Sequence, residues 1–356
     1  MFYIKELNLM NFRCYDQKKM AFSPKINIIY GDNASGKTSI LESIGFLGIL
    51  KSFRDAKDMD MIKANEPYFF IKGVFIDEDE EKSIDVIASY DKNSKKIKKN
   101  NILYSKNSEY IGYLNIVSFS PDNIDIVKSS PSVRRKFLNV YLSQIDREYM
   151  LSLIKYNKIL KTRNEYLKNE LYIDEIYLDA ITNLLCNEAK IIIRKRIQFI
   201  DNINAILKSV SLRLTKEKEI VQIKYLPNID ADCIENQYND KKNQDISLKT
   251  TTIGPHRDDF LVIINNQDAN IYASCGQIKT AVIAIKLSIA EFMKKTNKRQ
   301  IILLDDVFSE LDKARQNDLL TILDKDNQIF ITSTTINNID QAILERSNII
   351  KFTKGI

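Results

Sequence analysis

Ile26-Asn27-Ile28-Ile29-Tyr30-Gly31-Asp32-Asn33-Ala34-Ser35-Gly36-Lys37-Thr38-Ser39-Ile40-Leu41 is the stretch on which the fold turns. INIIYG is a short apolar run with the make-up of a strand, and from Gly36 onward GKTSILESIGFLGIL repeats its apolar residues at helical spacing. Between them, Gly31 to Thr38 matches G-x-x-x-x-G-K-[ST] in the strand, loop, helix setting that separates a phosphate loop from a chance glycine turn. Gly31 and Gly36 let the backbone curl, so that the N–H groups of Asp32, Asn33, Ala34, Ser35 and Ser39 surround a phosphate at a helix N-terminus whose dipole favours an anion. Lys37 is expected on the β and γ phosphates, as a binding and a catalytic residue, and Thr38 on Mg²⁺. The expected cofactors are therefore ATP and Mg²⁺.

Such a loop needs a second, acidic site for its metal. Ile301-Ile302-Leu303-Leu304-Asp305-Asp306 supplies it, as four apolar residues of a buried strand that end in two carboxylates. Asp305 is placed to complete the metal shell and Asp306 to orient an attacking water. Most of the chain lies between the two motifs, so something large is inserted between the halves of the site.

The rest of the chain supports that layout. A length of 356 residues exceeds what one core usually fills, so two lobes are expected. Residues 2–32 read as two strands, Pro67 to about Ser118 as a β meander with Lys92 to Asn100 as a basic hairpin tip, and Asn228 to Leu248 as a polar, mobile loop. From Pro131 to about Ser211 the chain has long helical stretches without glycine. The tail from Ile301 alternates strand, helix and strand, as a parallel sheet requires. No apolar run approaches a membrane span, and the alternating, charged start MFYIKELNLMNFRCY does not read as a secretory signal, which leads us to expect a cytoplasmic protein without a membrane partner. Cys14, Cys186, Cys233 and Cys275 are scattered and only one histidine is present, so neither a zinc site nor a disulfide framework is indicated.

With the P-loop near one end and the acidic strand near the other, the chain resembles the ATPase heads of the SMC proteins and their DNA-repair relatives, all of ABC type. Ala273-Ser274-Cys275-Gly276-Gln277 looks like the ABC signature, and Ser309-Glu310-Leu311-Asp312 is similar to the D-loop. Blocks along the whole length narrow the resemblance to the RecF family: Asn11-Phe12-Arg13-Cys14-Tyr15, Lys51-Ser52-Phe53-Arg54, Phe119-Ser120-Pro121-Asp122, Ser130 to Leu138, Gly254-Pro255-His256-Arg257-Asp258-Asp259, and Leu304 to Asp312. The resemblance implies an α/β fold, an ABC-type P-loop ATPase head (1–128 and 212–356) with an attached β meander and an inserted helical lobe (129–211). It adds Arg13, Ser274, Gly276, Gln277 and Asp312 to the nucleotide-binding set, the signature acting on ATP held by a partner copy in an ATP-dependent homodimer. It also implies single-stranded, gapped or junction DNA as ligand, RecR with RecO as partners, and the loading of RecA. The family usually has glutamine where Cys275 and Ile278 stand, arginine where Lys279 stands and histidine where Phe53 stands, and a lysine point charge does not replace an arginine fork at a phosphate site.

Residues 129–211 hold 14 lysines and arginines against 9 acidic residues, which concentrates the net charge of +6 in the helical lobe. Arg134-Arg135-Lys136, Lys155, Lys158, Lys161, Arg163 and Arg194-Lys195-Arg196, with Tyr156 and Tyr166 among them, are candidates to track a phosphate backbone, although such a stripe is commonly a solvated face. An unperturbed histidine titrates near neutrality, which makes His256 a candidate acid or base, but it reads more readily as structural. Rival functions fit less well. An SMC-type head would need an insertion of sustained heptads, a nuclease-coupled ATPase needs room after Asp306 for a metal domain, and a small-molecule kinase would bring its acidic strand closer to the P-loop.

Overall fold

Ile301, Ile302, Leu303 and Leu304, and beside them Ile329, Phe330 and Ile331, have no exposed surface, the mark of strands covered on both faces. They lie in a five-stranded, all-parallel sheet ordered Ser347–Phe352, Ile26–Gly31, Gln328–Ser333, Gln300–Asp305, Asn115–Phe119. The computed structural model describes residues 1–91, 94–169, 172–296, 299–323 and 327–352. Its chain forms two units: 1–124, 212–217 and 283–356 make the first, 125–211 and 218–282 the second.

Register decides what the parallel sheet can do. Asp305 sits opposite Thr332, Ser333 opposite Tyr30, and Phe352 opposite Gly31. The last residues of the acidic strand and of the P-loop strand therefore leave the same edge of the sheet, the carboxyl end at which open α/β sheets bind ligands. The helix Lys37–Ile49 follows the P-loop and is buried almost all round, including Ile40, Leu41, Ile44, Phe46 and Leu47. It ends at Leu50, whose left-handed backbone lets its N–H reach the Phe46 carbonyl.

An antiparallel sheet of six strands completes the first unit, ordered Tyr15–Ala21, Phe2–Phe12, Tyr68–Asp77, Lys82–Asp91, Ser94–Lys99, Ile102–Leu103. Alternate residues such as Phe69, Ile71 and Phe75, or Ile84, Val86 and Ala88, are buried, the two-residue period of a half-covered sheet. Three sequence expectations change here. Residues 2–32 hold three strands, because the chain turns back between Phe12 and Tyr15. The basic stretch is mainly the strand Ser94–Lys99, with Ile97 turned inward and Lys96 and Lys98 outward; Lys92 and Asn93 lie outside the described residues. Asn115–Phe119 belongs to the parallel sheet and not to the meander. The sequence reading also passed over Ser347–Phe352.

The second unit contains the helices Pro131–Ile145 and Arg147–Asn169 and all but the last four residues of the 41-residue helix Glu175–Thr215. It is larger than the expected 129–211 lobe, because 218–282 joins it. That segment contributes a three-stranded antiparallel sheet (Val221–Leu226, Asp259–Ile264, Gln267–Asp268) and the helix Ile234–Leu248. The expected mobile loop is thus mostly helix. Charge explains both corrections. Arg163 bonds Asp245 at 2.8 Å and Arg196 bonds Asp258 at 2.7 Å with all four side chains buried, and Arg134 forks onto Asp259. Each arginine is on the long helices and each aspartate in the later segment. Such pairs are inconspicuous in a polar sequence but bind strongly once water is excluded.

Among the described residues no helix is long and apolar enough to cross a membrane. Removing one member of a buried pair leaves the other charge uncompensated, so Asp245→Ala is expected to lower stability by about 3–5 kcal/mol. A shift of the urea midpoint of that order checks it; a shift below about 1 kcal/mol would place the pair outside the folding core.

Candidate functional site

The P-loop owes its shape to two glycines. Gly31 has φ 155° and Gly36 φ 95°, and a Cβ would come within 2.0 Å of the Phe352 carbonyl oxygen at the first and 2.2 Å of the Tyr15 hydroxyl at the second. No side chain caps the helix that begins at Lys37, and its first turn holds no acidic residue. Its leading N–H groups are left for an anion.

Around this loop lies a cavity of about 600 Å³. Asn33, Ala34, Ser35, Gly36, Lys37, Thr38 and Ser39 line it, together with Arg13, Asp305, Asp306 and Thr332, so most of the expected site residues are brought together. Gly31 and Asp32 are the first two residues of the same loop, and their carbonyls each accept a 2.7 Å hydrogen bond from Lys37 Nζ. Burial pulls the Lys37 ammonium below the usual lysine range, opposed by the charges of Asp306, Asp305 and Asp32.

Thr38 Oγ1 donates to Asp305 Oδ1 at 2.9 Å across 267 residues of sequence, and Thr332 Oγ1 donates to the same oxygen at 2.7 Å. A hydroxyl and a carboxylate that close are the pair a P-loop uses for Mg²⁺, and the uncapped helix end supplies the N–H donors for the phosphates. The donor set therefore fits a nucleoside triphosphate with its metal. Asp306 has a left-handed backbone (φ 53°) that turns the chain sharply after the strand, and its N–H donates to Thr332 Oγ1 at 3.0 Å. Thr332 thus ties both acids in place.

The remaining expected residues lie elsewhere. Asp312 caps the helix Lys313–Leu323, its Oδ1 accepting from the Arg315 N–H at 2.9 Å, and is not among the cavity residues. Ser274, Gly276 and Gln277 belong to the second unit. There Ser274 Oγ accepts from the Gln277 N–H at 3.3 Å and Gln277 Oε1 from the Ser274 N–H at 2.9 Å, a reciprocal cap on the helix Cys275–Thr296. Gly276 has no atom within 4 Å of where a Cβ would stand and no unusual φ, so neither packing nor dihedral demands a glycine. Ile278, where glutamine is usual, is completely buried.

The surroundings of His256 favour its structural reading, and the phosphate-tracking reading of the basic clusters is narrowed. His256 is a packed residue of the second unit. Its Nδ1 accepts from the Tyr156 hydroxyl at 2.7 Å and its Nε2 donates to the Thr251 carbonyl at 3.2 Å, so both ring nitrogens are engaged. The basic clusters are also mostly committed. Besides the three buried arginines, Arg135 donates to the Asp258 carbonyl, Lys195 is paired with Asp146 and Glu148, and Arg194 with Asp232. Lys155, Lys158 and Lys161 remain on an exposed surface, with Lys155 paired to the half-buried Glu188 and Lys161 in a solvent-facing pair to Glu165.

Sequence reasoning missed Glu42. This carboxylate is buried on the P-loop helix and holds Arg13 through two hydrogen bonds of 2.7 Å. Its only signal in the sequence was a charge on an otherwise apolar helix.

The model of the RecF/RecN/SMC N-terminal domain matches residues 3–355. The DNA replication and repair protein RecF of Clostridium perfringens is 38% identical over 359 residues, covering 99% of each chain. RecF of Clostridium botulinum is 41% identical over 347 residues, covering 95% of this chain and 94% of its own. A structure described as the recombination mediator protein RecF-ATP in the RecFOR pathway superposes with a TM-score of 0.89 at 32% identity, over 95% of this chain and 94% of that one.

The buried histidine makes stability depend on pH. Burial, aided by the nearby Arg257 and Arg135 and opposed by the bond to Thr251, lowers its pKa from 6.5 to about 4. The unfolded chain therefore takes up the proton first as pH falls, so stability is full above pH 6.5 and up to about 3 kcal/mol is lost on the way to pH 4. Urea unfolding at pH 7, 5.5 and 4.5 should show this loss in the native sequence and a smaller one in His256→Gln; equal slopes would assign the pH dependence to other groups.

Proposed function

The chain belongs to the RecF branch of the RecF/RecN/SMC family, and from that membership together with the phosphate site we propose that it is an ATP-dependent DNA-binding protein of recombinational gap repair. The observation that carries the reading is the meeting of Thr38 and Asp305 beside an uncapped helix end.

In this reading Lys37 leaves the loop carbonyls for the β and γ phosphates, and the helix N–H groups hold the phosphate chain. Thr38 and Asp305 would hold Mg²⁺, which when bound supplies charge neutralisation on the phosphates. Asp306, turned into the cavity by its left-handed backbone, orients the attacking water. A second copy of the chain completes the site. Ser274 and Gly276 open a helix whose first turn is bare on one side, and a glycine without an internal reason suits close approach by the nucleotide of a partner copy. Hydrolysis is then slow and DNA-stimulated, a timing switch more than bulk chemistry, because the catalytic set is complete only in the dimer.

DNA is the ligand of the closed dimer, in single-stranded, gapped or junction form, bound without sequence reading through its phosphates. Lys155, Lys158 and Lys161 are the contacts the geometry favours within the helical unit, since the buried arginines are spent on aspartates. The exposed Lys161–Glu165 pair is worth at most about 1 kcal/mol and yields easily to phosphate. RecR with RecO would bind this state and RecA would be loaded next to it, in support of replication restart and SOS induction.

Fluorescence anisotropy on a gapped duplex with ATP, ADP and no nucleotide tests the proposal. ATP should tighten binding and Lys37→Ala should abolish that effect; equal affinity in every state would withdraw DNA as the ligand. Replacing Lys155, Lys158 and Lys161 together by Gln should weaken the ATP-state complex and flatten the dependence of log K on log salt by about 2–3 units. An unchanged slope would place the phosphate contacts on other residues.

A further inference from the structure

The phosphate-loop motif does not require a carboxylate at Glu42, yet the helix Lys37–Ile49 buries one there, 1% exposed. An uncompensated carboxylate in that place would cost several kcal/mol, so its partners are informative. Oε2 accepts from Arg13 Nε and Oε1 from Arg13 Nη2, both at 2.7 Å, the two-pronged geometry of a strong guanidinium–carboxylate pair. The third arm of Arg13, Nη1, donates to the Asp60 carbonyl at 2.7 Å. Oε1 of Glu42 also accepts from Ser52 Oγ, and Ser52 Oγ accepts from the Arg54 N–H at 3.0 Å. One turn further along the same helix face, Gly45 leaves room for Phe53, whose ring would lie 2.9 Å from a Cβ there. The Ser52–Arg54 segment is thus seated on the P-loop helix by a bond at Glu42 and a close contact at Gly45. Arg13 and Arg54 both line the nucleotide cavity.

We propose that Glu42 is a positioning residue for nucleotide binding: one carboxylate on the P-loop helix fixes Arg13 directly and, through Ser52, the segment that presents Arg54, so that both cations are set before a nucleotide arrives. This deepens the ATP reading and rests on it. Three of the five N–H donors of Arg13 are spent on Glu42 and Asp60, so it offers the nucleotide a fixed guanidinium plane with two N–H groups to spare and not a searching side chain. Ordering a free arginine on binding would cost affinity, and Glu42 removes that cost in advance. The consequence is specific: losing the Glu42 charge should act on nucleotide affinity through Arg13, and little on the chemical step.

The test is a double-mutant cycle read by titration of a fluorescent ATP analogue, with KM and kcat for ATP hydrolysis alongside and thermal unfolding to monitor the fold. Glu42→Gln should weaken binding about tenfold and raise KM while kcat changes less than about twofold. In an Arg13→Ala background the same substitution should cost no more than about twofold. Should Glu42→Gln not fold, Arg13→Lys replaces it, keeping the charge but losing the fork, with the same loss of affinity expected. Effects of Glu42→Gln and Arg13→Ala that multiply, full affinity in Glu42→Gln or in Arg13→Lys, or a fall in kcat at constant KM would each overturn the inference. A native chain that binds no nucleotide would overturn the ATP reading instead, and Lys37→Ala, expected to abolish binding, tells the two failures apart.

Discussion

A single oxygen, Asp305 Oδ1, receives hydrogen bonds from Thr38 and Thr332 and so joins the P-loop helix, the acidic strand and the strand between them. Everything that makes the site depends on that convergence. It requires the three strands to be parallel and in register at their carboxyl ends, and it requires the intervening chain to leave the first unit and return. The second unit is, in this sense, what the sheet's topology tolerates between Asn115–Phe119 and Gln300–Asp305, which lie side by side.

The parts legible in the sequence were those in which spacing and chemistry coincide. Gly31 to Thr38 combines a residue pattern with a strand-to-helix change of period, and Ile301 to Asp306 combines a buried strand with two charges that a buried strand would not otherwise end in. Isolated elements that depend on distant partners were not legible. Ile234–Leu248 reads as a loop because its apolar face is narrow, and it is held as a helix partly by Asp245, whose partner Arg163 lies 82 residues away. Lys96 and Lys98 look like a turn until Ile97 between them is seen to point inward. Glu42 shows only as a charge among apolar residues until Arg13 is placed beside it.

Positive charge in the helical lobe shows how composition can mislead. The surplus over residues 129–211 is real, but Arg134, Arg163 and Arg196 answer aspartates at 259, 245 and 258, outside the interval over which the charge was counted. Counted over the folded unit, those arginines are internal structure. Two kinds of basic residue therefore share one stretch of sequence: arginines whose forks hold the unit together, and lysines on an open face with little to hold them. Guanidinium suits the first role because it forms several directed bonds at once, and ammonium the second because it stays hydrated.

Sheet order also has a bearing on how the protein is made. The strand Ile26–Gly31 finds its two neighbours in Gln328–Ser333 and Ser347–Phe352, and the backbone of Ile4 is bonded to Gln328 across 324 residues. At roughly 5–20 residues per second, a ribosome takes on the order of 16 to 65 s to deliver those partners. Throughout that interval the strand Ile26–Gly31, buried in the finished fold, has two open edges and the P-loop has no acidic strand to meet. The nucleotide site is thus a late product of synthesis, and the emerging chain has greater need of chaperone cover than the finished fold would suggest.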